Sequence, residues 1–91
     1  MDVRKVERIS KALSDPSRIT ILQQLREKEG CLYCNEIQDF IELAQPSISH
    51  HVKQLADADL IVVEKEGRQV KYRLNKLVLD EYVQFLNALK L

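Results

Sequence analysis

Apolar residues recur every three or four positions through the first third of the chain, which is the repeat of one helix face. Residues 3–13 show this repeat with basic residues on the other side, so they predict a short amphipathic helix. Ser14, Asp15 and Pro16 then supply a capping side chain and a first-turn proline, and a second apolar face continues to Gly30. Because glycine readily adopts the left-handed conformation found at many helix ends, we expect the second helix to end there.

The middle of the chain predicts two further helices separated by a tight turn. Cys31–Tyr33 is predicted to be a connector, and residues 35–43 form a short third helix. Residues 43–45 then make a turn of about three residues, and Pro46 suits the first turn of a fourth helix over residues 44–58. Two short helices joined this closely are typical of a helix-turn-helix.

The fourth helix has one apolar side and one polar side. Ile48, Val52 and Leu55 share the apolar side, and no carboxylate occurs between residues 42 and 57. The polar side offers hydroxyl, imidazole, ammonium and amide groups, which hydrogen-bond phosphates and base edges, from Ser47, His50, Lys53 and Gln54. A DNA recognition helix and an ordinary solvated helix both fit this pattern.

Beyond Leu60 the repeat changes from helical spacing to alternation. Residues 61–65 are a mainly β-branched run and residues 70–74 alternate, with turn residues at 66–68, so a β-hairpin is predicted. Arg68 would lie at its tip, and Lys71 and Arg73 would give it a basic outer face. We therefore count Lys71 among the candidate DNA contacts.

The last segment, residues 76–91, predicts a helix whose apolar residues cover more than one stripe. Such a helix would leave a large apolar patch uncovered in a monomer, so we expect a partner chain. Together these elements predict a mainly α fold with a β-hairpin wing (α+β), in the order α-α-α-α-β-β-α. This is a winged helix-turn-helix whose first and last helices dimerise.

Composition narrows the class of protein. The chain has 91 residues, which indicates a single domain over residues 1–91, and 14 basic residues balance 14 acidic ones. Zero net charge counts against binding nucleic acid through bulk electrostatics alone, so DNA binding would depend on how the charges are distributed. No apolar run has membrane length and no secretory leader is visible. We expect a cytoplasmic protein with no membrane partner.

Three stretches resemble the ArsR/SmtB family of winged-helix repressors, at that family's spacing. They are ALSDPSRITILQQL at residues 12–25, QPSISHHVKQLADADLI at residues 45–61 and EKEGRQVKYRL at residues 64–74. The resemblance implies a homodimer that binds an inverted-repeat DNA operator and leaves it when an inducer binds. It places recognition-helix contacts at Gln45, Ser47, Ser49 and His50, and wing contacts at Arg68 and Gln69.

The two cysteines, Cys31 and Cys34, are candidates for sensing an inducer. The family's Cys-x-Cys pair would fall on Tyr33 and Asn35, and its other metal site needs histidines that the last helix lacks, so neither site is reproduced. The one cofactor that the sequence suggests is a thiophilic metal or metalloid ion at this pair. Thiol oxidation, capture of a thiophilic metal or metalloid ion, and plain packing and loop roles all remain interpretations of this pair.

Two other classes of protein fit the pattern less well. A small dithiol redox enzyme usually places Cys-x-x-Cys between a strand and a helix, whereas here a helix precedes it, so we do not expect an enzyme. A winged-helix module that binds protein instead of DNA would need an apolar or acidic recognition face. The polar face of the fourth helix is neither.

Overall fold

The computed structural model describes residues 1–41 and 45–91, together with all of their side chains except those of residues 45 and 46. The elements are α1 (Val3–Ala12), α2 (Pro16–Glu27), β1 (Cys31–Tyr33), α3 (Cys34–Ile37), α4 (Gln45–Asp57), β2 (Ile61–Glu66), β3 (Gln69–Leu74) and α5 (Lys76–Lys90). The predicted α+β winged helix-turn-helix is confirmed.

The ends of the first two helices follow the predicted local chemistry. The Asp2 carboxylate accepts a hydrogen bond from the Lys5 N–H at 2.8 Å, and the Asp15 carboxylate accepts one from the Ser17 N–H at 2.8 Å. The last turn of α2 ends at Glu27, and Gly30 has a φ of +90° while its N–H donates to the Leu25 carbonyl. The glycine therefore closes this helix end in a conformation that few other residues adopt.

The connector predicted at Cys31–Tyr33 is wrong, because these residues form a third strand. β1 pairs antiparallel with β3, and β2 pairs with the other edge of β3, so the strand order is β1-β3-β2. Leu32 lies opposite Tyr72 and is buried. Three residues are too few to show an alternating pattern, and the pairing partner is about 40 positions away along the chain.

The third helix is shorter than predicted. α3 ends at Ile37, and the chain then turns through bonds such as that from the Phe40 N–H to the Ile37 carbonyl. Residues 42–44, which contain the end of the predicted helix and most of the predicted turn, lie outside the described residues.

The core forms where α4 meets α1, α2 and the sheet. Ile48, Val52 and Leu55 are buried, which confirms the apolar side predicted for α4. All side chains of α5 are at least partly exposed. The other described helices and strands each contribute to one buried cluster, which contains the three α4 residues together with Ile9, Ala12, Ile21, Leu25, Leu32, Ile37, Ile41, Ala58, Leu60, Ile61 and Tyr72. Of the helices that the structure describes, none combines the length and the apolar character that crossing a membrane requires.

Candidate nucleic-acid interface

The outward side of α4 carries the side chains that the sequence pattern singled out. Ser47, Ser49, His50 and Lys53 are exposed, and Gln54 is partly buried. The side chain of Gln45 lies outside the described residues. Lys53 Nζ lies 3.0 Å from Asp57 Oδ2, so the carboxylate of the last residue of α4 forms an ion pair with a lysine one turn earlier in the same helix. Of the described side chains in its first two turns, those that face outward carry hydroxyls and an imidazole, and none of them is a carboxylate.

Arg18 and His51 connect α4 to the start of α2, a role that the sequence pattern did not reveal. Arg18 Nε donates to the Ala12 carbonyl at 2.7 Å, and its Nη1 lies 3.2 Å from His51 Nδ1. Arginine in the first turn of a helix opposes the helix dipole. That unfavourable position is the sequence signal that could have identified Arg18 as a residue with a specific contact.

Asp15 lies on the other side of His51. Its Oδ1 is 4.0 Å from His51 Nδ1 and caps α2. Desolvation raises the pKa of this carboxyl, but the backbone N–H groups of Ser17 and Arg18, together with the nearby His51 and Arg18 side chains, lower it further, so the net shift is downward. Asp15 is therefore held as a carboxylate between the cap and the histidine.

The wing ends in a two-residue loop, with Gly67 at a φ of +61° followed by Arg68. Arg68 and Gln69 are exposed, as predicted for the tip.

The basic outer face predicted for this hairpin is wrong. Lys71 Nζ lies 3.2 Å from Glu66 Oε1, and Arg73 Nε lies 3.0 Å from Glu64 Oε1. Alternation along β3 showed its two cations but not the two carboxylates that β2 places beside them on the same face.

These ion pairs alter the chemistry of the wing. Hydrogen bonds from Lys71 and then from Tyr33 lower the pKa of Glu66, and the hydrogen bond from Arg73 lowers the pKa of Glu64. The side chain of Lys71 is only 16% exposed. Its role as a DNA contact stays a prediction, and it would require Glu66 to release the ammonium. Arg68 is exposed at the wing tip and belongs to neither ion pair.

Cys31 and Cys34 do not converge. Cys31 lies opposite Arg73 in β1, and the chain remains extended through Tyr33, which has φ −84° and ψ 153°. Three extended residues span about 10 Å, beyond the roughly 7 Å over which two Cα atoms can be bridged by a disulfide. Both cysteines are partly exposed free thiols.

Cys34 instead packs against the core, where it hydrogen-bonds to Tyr72. Burial and then this hydrogen bond raise the pKa of Tyr72 to about 12. Within residues 1–41 and 45–91 no three His, Cys, Asp or Glu side chains come together in a way that could hold a metal ion. Sensing by Cys31 and Cys34 stays a prediction, and joint action of the thiols would require β1 to move.

Comparison with known proteins agrees with this geometry. A family model described as a helix-turn-helix domain matches residues 13–64. The chain is 38% identical over 89 residues to the arsenical resistance operon repressor of Staphylococcus aureus, and the match covers 98% of this chain and 84% of that repressor. It is 35% identical over 78 residues to the transcriptional repressor SdpR of Bacillus subtilis, covering 86% and 84%.

A crystal structure of an ArsR family transcriptional regulator has a TM-score of 0.85 and 26% identity, and the match covers 99% of this chain and 90% of the other. The named relatives are repressors, which confirms the expectation of a non-enzyme. The reason that the cysteine spacing gave for it is wrong, because Cys31 lies in the strand β1 and Cys34 begins the helix α3. The family model spans more than half of the chain, and the likeness to repressors runs along nearly all of it. The chain therefore belongs to the ArsR/SmtB family of winged-helix transcriptional regulators.

Proposed function

We propose that the protein is a homodimeric transcriptional repressor that acts as one domain over residues 1–91 and binds a specific inverted-repeat operator in the cytoplasm. The observation that carries this proposal is the outward side of α4. Ser47, Ser49 and His50 are exposed on its first two turns, beside the buried Ile48 that fixes which side faces out. The N-terminal residues of a recognition helix are those that reach base edges in the major groove.

The wing supports the same proposal through a different chemistry. Arg68 is exposed at the tip of the hairpin, and the two cations of β3 are paired with carboxylates of β2. A single arginine at a loop tip suits a phosphate contact, which positions a protein on DNA without selecting a sequence. Base selection would then rest on α4, and the wing would add affinity that depends on salt.

Dimerisation is supported by the apolar residues that the fold leaves uncovered. On α5, Leu77 is 71% exposed, Val83 50%, Leu86 41% and Leu89 70%, and Val3 on α1 is also exposed. Isolated exposed apolar residues are ordinary, but Val83, Leu86 and Leu89 recur every three positions along one side of α5 and form the kind of surface that a partner covers. A two-fold dimer through α1 and α5 would present two copies of α4 to the two halves of an inverted repeat.

Release by an inducer is the finer part of the proposal. Its support is the likeness to a protein named as an arsenical resistance operon repressor. Capture of arsenite or a soft metal ion by both Cys31 and Cys34 would have to break the pairing of β1 with β3, because the thiols are held apart while that pairing persists. Such a change would also displace Cys34 from Tyr72, next to the start of α3.

The experiment is an anisotropy titration of a labelled duplex enriched from random DNA, with a scrambled duplex beside it. Ser47→Ala and His50→Ala should reduce the preference for the enriched duplex while leaving the salt dependence unchanged. Arg68→Ala should weaken binding to both duplexes and lower the salt slope by about one unit for each phosphate that a protomer no longer binds. Gln23→Ala and Arg26→Ala, on the exposed side of α2, are the matched controls. Binding of both duplexes by every variant as by the parent protein would contradict the proposal.

A further inference from the structure

We propose that Arg18 is a positioning residue for DNA recognition, which sets the orientation of α4 by holding His51 against the end of α1. This inference rests on the proposed function, since it assumes that α4 reads the operator. Arg18 and His51 are 33 positions apart in the chain, and the contact between their side chains crosses from the first turn of α2 to the middle of α4.

The guanidinium is fixed on its other side by α1. Arg18 Nε donates to the Ala12 carbonyl at 2.7 Å, and Nη2 donates to the Lys11 carbonyl at 3.1 Å. Lys11 and Ala12 are the last two residues of α1, and the final carbonyls of a helix have no partner within the helix. A cation is also favourable at the negative end of the helix dipole. The planar guanidinium is therefore held in one orientation, which a lysine could not reproduce.

The remaining nitrogen of the guanidinium meets His51. Arginine can only donate, so His51 Nδ1 accepts in this contact, in which the two nitrogens are 3.2 Å apart. The His51 side chain is only 13% exposed. His50, the next residue along the helix, is exposed, and the two ring centroids are 5.9 Å apart. Fixing His51 therefore fixes the rotation of α4 at which His50 points outward.

A second contact joins α1 to the far end of the same helix. Lys5 forms an ion pair with Asp59, which follows α4 and has a φ of 60°. On its other side α1 contacts α5, where Ser10 Oγ and Tyr82 Oη are 2.8 Å apart. Through Arg18 and Lys5, α1 therefore holds α4 near its middle and just beyond its end, and connects it to the helix that carries the uncovered apolar residues. The orientation of each recognition helix is tied by these contacts to the proposed dimer face.

The connection of α4 to α1 matters because both protomers of the proposed dimer must contact their half-sites at the same time. A protomer whose α4 can rotate still contacts phosphates, but it no longer presents the same side chains to the bases. Breaking the hydrogen bond between Arg18 and His51 should therefore reduce discrimination between DNA sequences. It should leave the electrostatic part of binding intact.

The test compares Arg18→Gln and His51→Ala with His51→Asn, whose amide oxygen can accept in place of Nδ1. Each variant of the full chain is titrated against the enriched and the scrambled duplex at several salt concentrations. We expect the first two to bind the enriched duplex about tenfold more weakly or worse, because hydrogen bonds to charged groups are stronger than neutral ones. Scrambled-duplex affinity and salt slope should stay as in the parent protein. His51→Asn should recover most of the affinity, and Arg18→Lys should not.

Adding His51→Ala to Arg18→Gln should weaken binding little further, since both variants remove the same hydrogen bond. Arg26→Gln, which removes an exposed cation from the same helix, is the matched control and should bind as the parent does. If Arg18→Gln weakened binding to both duplexes equally and lowered the salt slope, Arg18 would be a phosphate contact. If His51→Ala bound the enriched duplex with full affinity, the hydrogen bond between Arg18 and His51 would contribute nothing to recognition. Either result overturns the inference. If the parent protein showed no preference between the duplexes, the proposed function itself would fail, and this is seen before any variant is made.

Discussion

Leu89→Ala should weaken dimerisation of the protein by a measurable amount. Leu89 lies in the last turn of α5 and is 70% exposed in the protomer. Full burial of a leucine side chain contributes about 1.5–3 kcal/mol, so covering the exposed part of Leu89 would contribute about 1–2 kcal/mol in each protomer. Alanine retains only the Cβ of the leucine side chain, and the substitution occurs twice in a dimer. The expected weakening is about 1.5–3 kcal/mol, or roughly 10- to 100-fold in the dimer dissociation constant.

Sedimentation equilibrium over a range of protein concentrations measures this constant directly. Val62→Ala is the matched control, because Val62 is an exposed apolar residue, at 44%, that belongs to β2 and not to α1 or α5. Leu86→Glu should have a larger effect than Leu89→Ala, since it would bury an unpaired charge. A parent protein that sediments as a monomer at all concentrations would refute the reasoning, and so would equal effects of Leu89→Ala and Val62→Ala.

Three further predictions concern the sheet. Tyr72 should ionise only near pH 12. Because its pKa in the folded protein lies above the ordinary value of 10, the stability that Tyr72 contributes is complete below pH 10 and is lost as the pH rises through 12. Spectrophotometric titration of the parent protein and of Tyr72→Phe measures this ionisation. The Glu66 carboxyl should titrate below its ordinary value of 4.5, so the wing loses stability as the pH falls through that lower value. In an NMR titration, Lys71→Met should raise the Glu66 midpoint toward 4.5 without restoring it fully, because the hydrogen bond from Tyr33 remains. Mild oxidant should leave Cys31 and Cys34 of the folded protein without a mutual disulfide, which mass spectrometry would show as no loss of two hydrogens, whereas a fully bridged native protein would contradict the geometry.

The helices were predictable because their signals are local. Asp15 and Pro16 define the start of α2 within two residues, and the spacing of Ile48, Val52 and Leu55 defines the buried side of α4. The hairpin was predictable for the same reason, since its two strands are joined by a short turn.

The features that could not be predicted depend on contacts between distant parts of the chain. β1 forms by pairing with β3, where Leu32 lies opposite Tyr72, and a three-residue strand has too little pattern to reveal a partner so far away. The charges of the wing looked basic along β3 alone, and only the register with β2 brings Glu64 beside Arg73. Arg18 and His51 were each visible, but nothing in their spacing shows that they touch.

The most direct test of the central claim is selection of bound duplexes from random DNA by the purified 91-residue protein. If α4 reads bases as part of a two-fold dimer, the enriched sequences will contain two inverted half-sites whose centres lie about 34 Å, or one helical turn, apart. Selection repeated with His50→Ala should change the bases enriched within each half-site and leave their spacing unchanged. A pool with no sequence enriched over the starting DNA would contradict the claim that this chain is a sequence-specific regulator.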